Sequence, residues 1–210
     1  MNQRVSKFKH PAGFELTTPL LIPSFSSKGF ALDENGKSEL CSVIDFTKEF
    51  IYESQLVSAY DIHYKHIPPI EQINHTQVTF IDSGGYETSN NYDLSETRKY
   101  ERLKNPWNRE LYSEAINGLS ELIPIALVSF DHVNERKSIQ EQITDAKNLF
   151  LSKPIFLSDF LIKPQTGHDV IQIKDVIALA DELSLFNIIG LTEKELGESM
   201  MIRLKNILNL

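Results

Sequence analysis

The residues best suited to chemistry lie in one short segment, residues 80–87 (FIDSGGYE), where an apolar run ends in an acid, a hydroxyl and two glycines. A carboxylate there can act as a general acid or base, or accept hydrogen bonds from the edge of a nucleobase. Consecutive glycines can adopt positive φ and let the backbone approach a flat ligand, and their amides can donate to an anion or carbonyl. The segment is equally typical of a plain Asp-Ser-Gly-Gly turn after a strand.

Asp131 is a second acid that directly follows an apolar run, residues 125–130. Two carboxylates at neighbouring strand ends can divide acid and base roles if their surroundings separate their pKa values. Asp131 would also suit a helix cap or a loop. His63 and His66 have the spacing of a metal pair, but Pro68 follows them and Asp61 is the one further ligand nearby, so no metal site is predicted.

The elements that would position these residues are short apolar runs alternating with helix-like stretches. Strands are predicted at 19–23, 55–62, 77–81, 125–130, 154–162 and 187–191, and helices at 40–52, 106–122, 138–151, 173–185 and 194–208. This alternation is typical of a parallel α/β fold, and both a doubly wound sheet and a (β/α)₈ barrel fit it. In a barrel, functional groups follow the strand C-termini. Polar residues lie near the six predicted ends: Ser24, Asp61, Asp82, Asp131, Asp159 and Thr192. They would serve as helix N-caps just as well.

Composition narrows the class of protein. The chain has 210 residues, a net charge of −8 and a single cysteine. It has no apolar stretch near the roughly 20 residues of a membrane span, and its N-terminus lacks the apolar core of a signal peptide, so a cytoplasmic protein without a membrane partner is predicted. The negative charge argues against a dedicated nucleic-acid binder. The densest basic cluster contains Arg98, Lys99, Arg102, Lys104 and Arg109, and the glutamates among them favour a solvated helix face. Trp107, at helical spacing from later apolar residues, is predicted to lie in the core.

Four segments in order resemble the tRNA-guanine transglycosylase superfamily: 17–25 (TTPLLIPSF), 80–87 (FIDSGGYE), 127–131 (LVSFD) and 188–195 (IIGLTEKE). The first resembles the family's opening strand, and the second its Asp-Ser-Gly-Gly-Phe-Gln signature. The third resembles the strand that ends in a base-reading aspartate, and the fourth a Gly-Gly-Leu-x-x-Gly-Glu segment. The resemblance implies a (β/α)₈ barrel that exchanges guanine in a nucleic acid for a 7-deazaguanine.

The resemblance also implies residue roles. Asp82 would be the acid–base and recognition carboxylate, and Asp131 would read the guanine edge. The remaining substrate-binding positions would be Ser83, Gly84, Gly85, Tyr86, Gly190 and Glu195. The reaction would be a double displacement in which an aspartate attacks the ribose anomeric carbon, guanine leaves and the new base returns. The target nucleotide must first leave its stack.

The chain departs from the family pattern at several positions. Tyr86 and Glu87 replace Phe and Gln, and Ile189 and Lys194 replace two glycines. His132-Val133 replaces Glu-Cys, and the run at 154–162 lacks the Gln-Gly-Gly ending. The family's nucleophile on the eighth strand and its zinc site lie beyond the residues present. We therefore expect one domain, residues 1–210, forming about six βα units of an incomplete barrel, with no cofactor in this chain.

Three functional interpretations remain open. The chain could be the N-terminal portion of a transglycosylase that acts on guanine in tRNA or DNA, with its nucleophile outside the chain. It could be a non-catalytic paralogue that binds guanine, 7-deazaguanine or a partner subunit, and homo- or hetero-oligomers are compatible with an open barrel edge. It could also be an unrelated α/β enzyme. The first two predict that Asp82 and Asp131 converge on one cleft, and the third that they do not.

Overall fold

The computed structural model describes residues 5–35, 37–88, 105–130, 137–153, 157–162, 180–186, 188–191 and 199–209. The strands are β1 (Ser6–Lys9), β2 (Glu15–Thr18), β3 (Ser24–Phe25), β4 (Ser54–Ser58), β5 (Val78–Asp82), β6 (Ile125–Val128), β7 (Leu157–Ile162) and β8 (Ile188–Leu191). The helices are α1 (Leu40–Thr47), α2 (Ala59–His63), α3 (Ile70–Ile73), α4 (Gly85–Thr88), α5 (Arg109–Asn117), α6 (Ile139–Ser152), α7 (Ala180–Leu183) and α8 (Met200–Asn209).

The predicted α/β class is confirmed. Strands β3 to β8 form one six-stranded sheet in chain order, and each neighbouring pair is parallel. The order of the described strands lacks the reversal that defines a doubly wound sheet. Strands β1 and β2 form a separate antiparallel hairpin.

The two faces of the sheet pack against different partners. Val57, Ile81 and Leu127 are fully buried in the larger core cluster, together with residues of α1, α3 and α5. Each such side chain contributes about 2 kcal/mol on burial. Their chain neighbours on the other face, Phe80 and Ala126, belong to a second cluster with Leu16 of the hairpin. The alternation of strand side chains therefore separates a helix-covered face from a face covered by the hairpin.

The hairpin is fixed to the amino end of the sheet by His10. Its Nε2 lies 2.8 Å from the carbonyl oxygen of Ile125, the first residue of β6. Its Nδ1 accepts the Ala12 backbone N–H at 3.0 Å, so Nε2 carries the proton and donates. The hairpin thus packs at the amino end, opposite the strand ends where the acids of the signature segment lie.

The predicted first strand at 19–23 is wrong. Residues 19–23 form no strand, Leu21 is 88% exposed, and the strand is Ser24–Phe25. Pro19 and Pro23 bracket the run and lack the N–H that a ladder needs, although the Pro23 carbonyl still accepts the Leu56 N–H at 2.8 Å. The hairpin before it was not predicted, because its strands are four residues long and mostly charged or polar.

Several predicted bounds also need correction. The helix at 40–52 ends at Thr47, and the strand at 55–62 divides into β4 and α2. The helix at 106–122 is α5, which begins at Arg109 because the Asn108 side chain caps it by accepting the Leu111 N–H. The helix at 138–151 is confirmed as α6, with a Ser138–Glu141 capping box.

Where the structure describes them, the later predicted strands are strands and the later predicted helices are helices. Strands β7 and β8 lie within the runs predicted at 154–162 and 187–191. The helix predicted at 173–185 is described only as α7, and the one at 194–208 as α8, which begins at Met200. No helix in the described part of the chain is long and apolar enough to cross a membrane.

Candidate functional site

The carboxyl edge of the sheet places Ser58 and Asp82 side by side. They are register partners at the ends of β4 and β5. Ser58 lies two residues after Leu56, and Asp82 lies two residues after Phe80. Both Leu56 and Phe80 pack on the hairpin side of the sheet. Because alternate strand residues share a face, Ser58 and Asp82 lie on that same face, on strands about 4.8 Å apart. This pair is the centre of the candidate site.

Asp82 begins a tight turn whose shape depends on Gly84. The Asp82 carboxylate accepts the Gly84 N–H at 3.2 Å, and Gly84 has φ +84°. A Cβ at Gly84 would lie 2.6 Å from the Trp107 indole nitrogen and 2.9 Å from Tyr60 Cβ. The turn therefore requires glycine for both its backbone angle and its packing. The space beside Gly84 is occupied by the indole of this chain, whereas the resemblance implied a surface for a ligand.

Trp107 packs against the larger core cluster, as predicted, and it also fixes the turn. Its Nε1–H donates to the Ser83 carbonyl at 2.8 Å. The Ser83 side chain is fully buried, and its hydroxyl has no hydrogen-bond partner among the described residues. Such groups are rare in native structures and call for an explanation, which a simple turn does not supply.

Tyr86 lies at the outer side of the same segment. Its ring is partly exposed, and the Lys28 ammonium sits 4.2 Å from the ring centroid. The same ammonium donates to the Tyr86 carbonyl at 2.8 Å. These contacts tie the loop after β3 to the signature segment.

Glu87 is a candidate site residue that sequence reasoning missed, since it was noted only as a departure from the family's glutamine. It lies in α4 and is 7% exposed. Its two carboxyl oxygens accept the hydroxyls of Ser26 and Ser58, the latter at 2.7 Å. Burial, followed by the nearby charges of Asp61 and Asp82, raises the pKa of Glu87 to about 7. Glu87 is thus a carboxylic acid that holds a proton near neutral pH.

Asp61, the third acid of this edge, is fully buried in α2. It accepts the backbone N–H of Ser27 at 2.8 Å and also the Ser27 hydroxyl. His66 Nδ1 lies 3.0 Å from it. His66 therefore faces an aspartate and does not pair with His63, and no group of three metal-ligating side chains occurs in the described part of the chain.

The remaining predicted site residues are only partly described. Gly190 lies in β8, where it pairs with Leu161 of β7. Asp131 and Glu195 lie outside the described residues, so the predicted convergence of Asp82 and Asp131 stays a prediction. Of the predicted basic cluster, Arg109 alone is described, as the first residue of α5.

A separate cleft of about 140 Å³ lies between α5 and α6, next to the end of β6. Its main charged group is Asp145, which pairs with Arg109 at 3.1 Å and with Lys137 at 2.6 Å. On its inner side, the Tyr112 hydroxyl donates to the Val128 carbonyl at 2.6 Å. Burial, with a contribution from Asp82, raises the pKa of Tyr112.

Comparisons of the chain with protein-family models, with curated proteins and with solved structures gave no match. Any assignment of function therefore depends on the chemistry of the carboxyl edge.

Proposed function

We propose that the carboxyl edge of the sheet binds a guanine-type base through Asp82, and that the chain is a divergent relative of the tRNA-guanine transglycosylases that exchanges such a base in tRNA or DNA. The observation that carries the proposal is the position of Asp82, half-buried at a strand end among buried hydroxyls and acids. Guanine presents ring and amino N–H donors side by side, and an ionised carboxylate can accept both.

The surroundings of Asp82 support a ligand site over a plain turn. Two buried carboxyl groups, Asp61 and Glu87, lie close enough to act on each other electrostatically, which costs free energy that a simple turn would not require. The Ser83 hydroxyl next to Asp82 is buried and has no hydrogen-bond partner among the described residues, which a plain turn would not require. An acid with a raised pKa that lies beside other carboxyl groups in one site is typical of active sites.

The fold we propose for the whole domain is a (β/α)₈-type barrel. The described strands follow one another in chain order, as barrel strands do. Ile188 of β8 packs against the same cluster as Leu56 of β4, although three strands separate β8 from β4 in the sheet. One apolar cluster that extends along the hairpin side of the sheet from β4 to β8 is what the interior of a barrel would contain.

Base binding without exchange is the second candidate, and the burial of the acids favours it. A double displacement needs an accessible nucleophile in addition to the acid–base group. Within the described part of the carboxyl edge, Asp61 and Glu87 are buried and Asp82 is the more exposed acid. A nucleophile would have to come from residues outside this part of the site.

The test is calorimetric titration of the protein with guanine, with adenine as the control base, followed by incorporation of labelled guanine into tRNA and into duplex DNA. Asp82→Asn keeps the shape of the side chain but removes its charge, and we expect it to weaken guanine binding at least about 100-fold, because buried donors lose a charged acceptor. Asp45→Asn, at an exposed acid paired with Lys48, is the matched control. Binding without incorporation would select the second candidate. No guanine binding, or equal binding by Asp82→Asn, would refute both.

A further inference from the structure

The Glu87 carboxyl group is buried without a cation. Its bonds are to the hydroxyls of Ser26 and Ser58, and no Lys or Arg side chain bonds to it among the described residues. The Lys28 ammonium, from the loop after β3, donates to the Tyr86 carbonyl and lies over the Tyr86 ring. A buried carboxylate without a cation is costly, and protonation removes that cost.

Ser58 is placed between Glu87 and Asp82. Its hydroxyl donates to Glu87 at 2.7 Å, and its Cα is the register partner of Asp82. A serine hydroxyl can donate one hydrogen bond while it accepts another. The Ser58 hydroxyl can therefore accept a proton from the Glu87 carboxyl group and donate its own proton to the Asp82 carboxylate. Ser26 does not offer this path, because its oxygen already accepts the Lys28 backbone N–H and it belongs to the loop after β3.

We propose that Glu87 is the proton store of the site and exchanges one proton with Asp82 through the Ser58 hydroxyl. This inference rests on the exchange reaction of the proposed function, in which the ionised Asp82 would take a proton from Glu87 and pass it to the departing base. In the transfer, the O–H bond of Glu87 breaks and one forms at Ser58 Oγ. The original Ser58 O–H bond breaks, and the proton forms a new bond at the Asp82 carboxylate. Glu87 is left as a carboxylate that two serine hydroxyls stabilise, and Asp82 becomes the acid that protonates the departing base.

The groups around Glu87 agree with this role. Asp61 from α2 and Asp82 from β5 are the charged neighbours, and both favour the protonated form of Glu87. The Ser26 and Ser58 hydroxyls favour the ionised form. The charge of Asp61 is in turn opposed by His66 when that ring is protonated. The raised pKa of Glu87, about 7, lies where a proton donor is useful at neutral pH.

The first test uses the protein alone. Carboxyl groups labelled with ¹³C are titrated by NMR in the wild type and in Asp82→Asn, Ser58→Ala and Glu87→Gln, the last of which assigns the Glu87 signal. We expect a Glu87 midpoint near pH 7 that falls in Asp82→Asn, because one of the two neighbouring negative charges is removed while the burial stays. We expect it to rise in Ser58→Ala, which loses a bond that stabilises the anion. A Glu87 midpoint that is ordinary, or unchanged in Asp82→Asn, would overturn the proposal.

The second test measures protons released on guanine binding at pH 7, from calorimetry in buffers of different ionisation enthalpy. Donors on the base offset the negative charge of Asp82, so Glu87 should release a fraction of a proton in the wild type and none in Glu87→Gln. Glu49→Gln, at an exposed acid, should behave as the wild type. Equal release in Glu87→Gln would overturn the proposal. If guanine does not bind, the proposed function fails, and the NMR titration still decides whether Glu87 and Asp82 share a proton.

Discussion

Acids in two regions of this chain are stabilised in opposite ways. At the carboxyl edge of the sheet, Asp61 and Glu87 are buried and bonded mainly to serine hydroxyls, a backbone amide and one histidine. In the cleft between α5 and α6, Asp145 is paired with Arg109 and Lys137, and its side chain is 21% exposed.

The two regions differ in the free-energy cost of keeping their acids. Surface ion pairs such as those of Asp145 contribute about 0–1 kcal/mol each and require no special surroundings. Buried carboxyl groups without full charge compensation cost free energy, and folds keep them mainly where chemistry requires them. The carboxyl edge is therefore the region in which stability and function should respond differently to the same substitution.

The largest expected effect is at Asp61. Asp61→Ala would remove the carboxylate that accepts the Ser27 N–H and the Ser27 hydroxyl and that faces His66 Nδ1. We expect the free energy of unfolding to fall by about 3–5 kcal/mol, because several buried donors become unsatisfied at once. Urea denaturation measures this change. A loss below about 1 kcal/mol would mean that Asp61 contributes no more to stability than a surface acid such as Asp145. The two regions would then not differ in how they stabilise their acids.

Gly84 tests how firmly the turn that carries Asp82 is fixed. Gly84→Ala combines a strained φ with a contact of 2.6 Å to Trp107, and we expect a loss of about 3 kcal/mol. Gly29→Ala is the matched control, since Gly29 has φ +86° but open space around its Cβ position, and only the strain of about 1 kcal/mol should remain. Thermal and urea unfolding of both variants separate the cost of the strained φ from the cost of the close contact with Trp107. Equal losses would show that packing by Trp107 does not hold the turn.

Some features of the fold and of the candidate site could be predicted from the sequence because they depend on neighbouring residues. Helix α6 was predicted almost to the residue, because its capping box and its apolar spacing are local. Asp82 was singled out for a similarly local reason, an apolar strand that ends in an acid and two glycines. The strands β4 to β8 were found from their apolar runs, and the parallel α/β class followed.

The rest of the site depends on contacts between distant parts of the chain. Ser26 and Glu87 are 61 residues apart, Ser27 and Asp61 are 34 apart, and Ser83 and Trp107 are 24 apart. No spacing rule connects such pairs, so Glu87 was noted only as a departure and Gly84 was assigned to a ligand instead of to an indole. Serines near strand ends and an acid five residues after Asp82 were the available signals, and they become informative only once the register of β4 and β5 is known.

Glu87 should give the wild type a pH-dependent stability that Glu87→Gln lacks. Its pKa rises from the ordinary 4.5 to about 7 on folding, so the folded state binds the proton more tightly than the unfolded state. The stabilisation is fully present below pH 4.5 and is lost as the pH rises through 7. Glu87→Gln should therefore gain stability relative to the wild type across this range, approaching about 3 kcal/mol above pH 8.

Urea denaturation of both proteins between pH 4.5 and pH 9 measures this difference. Glu49→Gln, at an exposed acid, should show a constant difference from the wild type over the same range. A constant difference for Glu87→Gln as well would mean that Glu87 is ionised throughout, and that its surroundings stabilise the charge as the cations around Asp145 do.

The smallest effect is expected at Asp145. Asp145→Asn keeps the shape of the side chain and removes the attraction to Arg109 and Lys137, whose side chains are 45% and 21% exposed. We expect a loss of at most about 1 kcal/mol in low salt, and less in 1 M NaCl, where the screening length falls to about 3 Å. Guanine binding should not change, because Asp145 lies on the helix side of the sheet and Asp82 on the other. A loss of stability as large as that expected for Asp61→Ala, or a loss that does not change with salt, would mean that burial and not ion pairing determines the contribution of Asp145. The two regions would then differ only in degree.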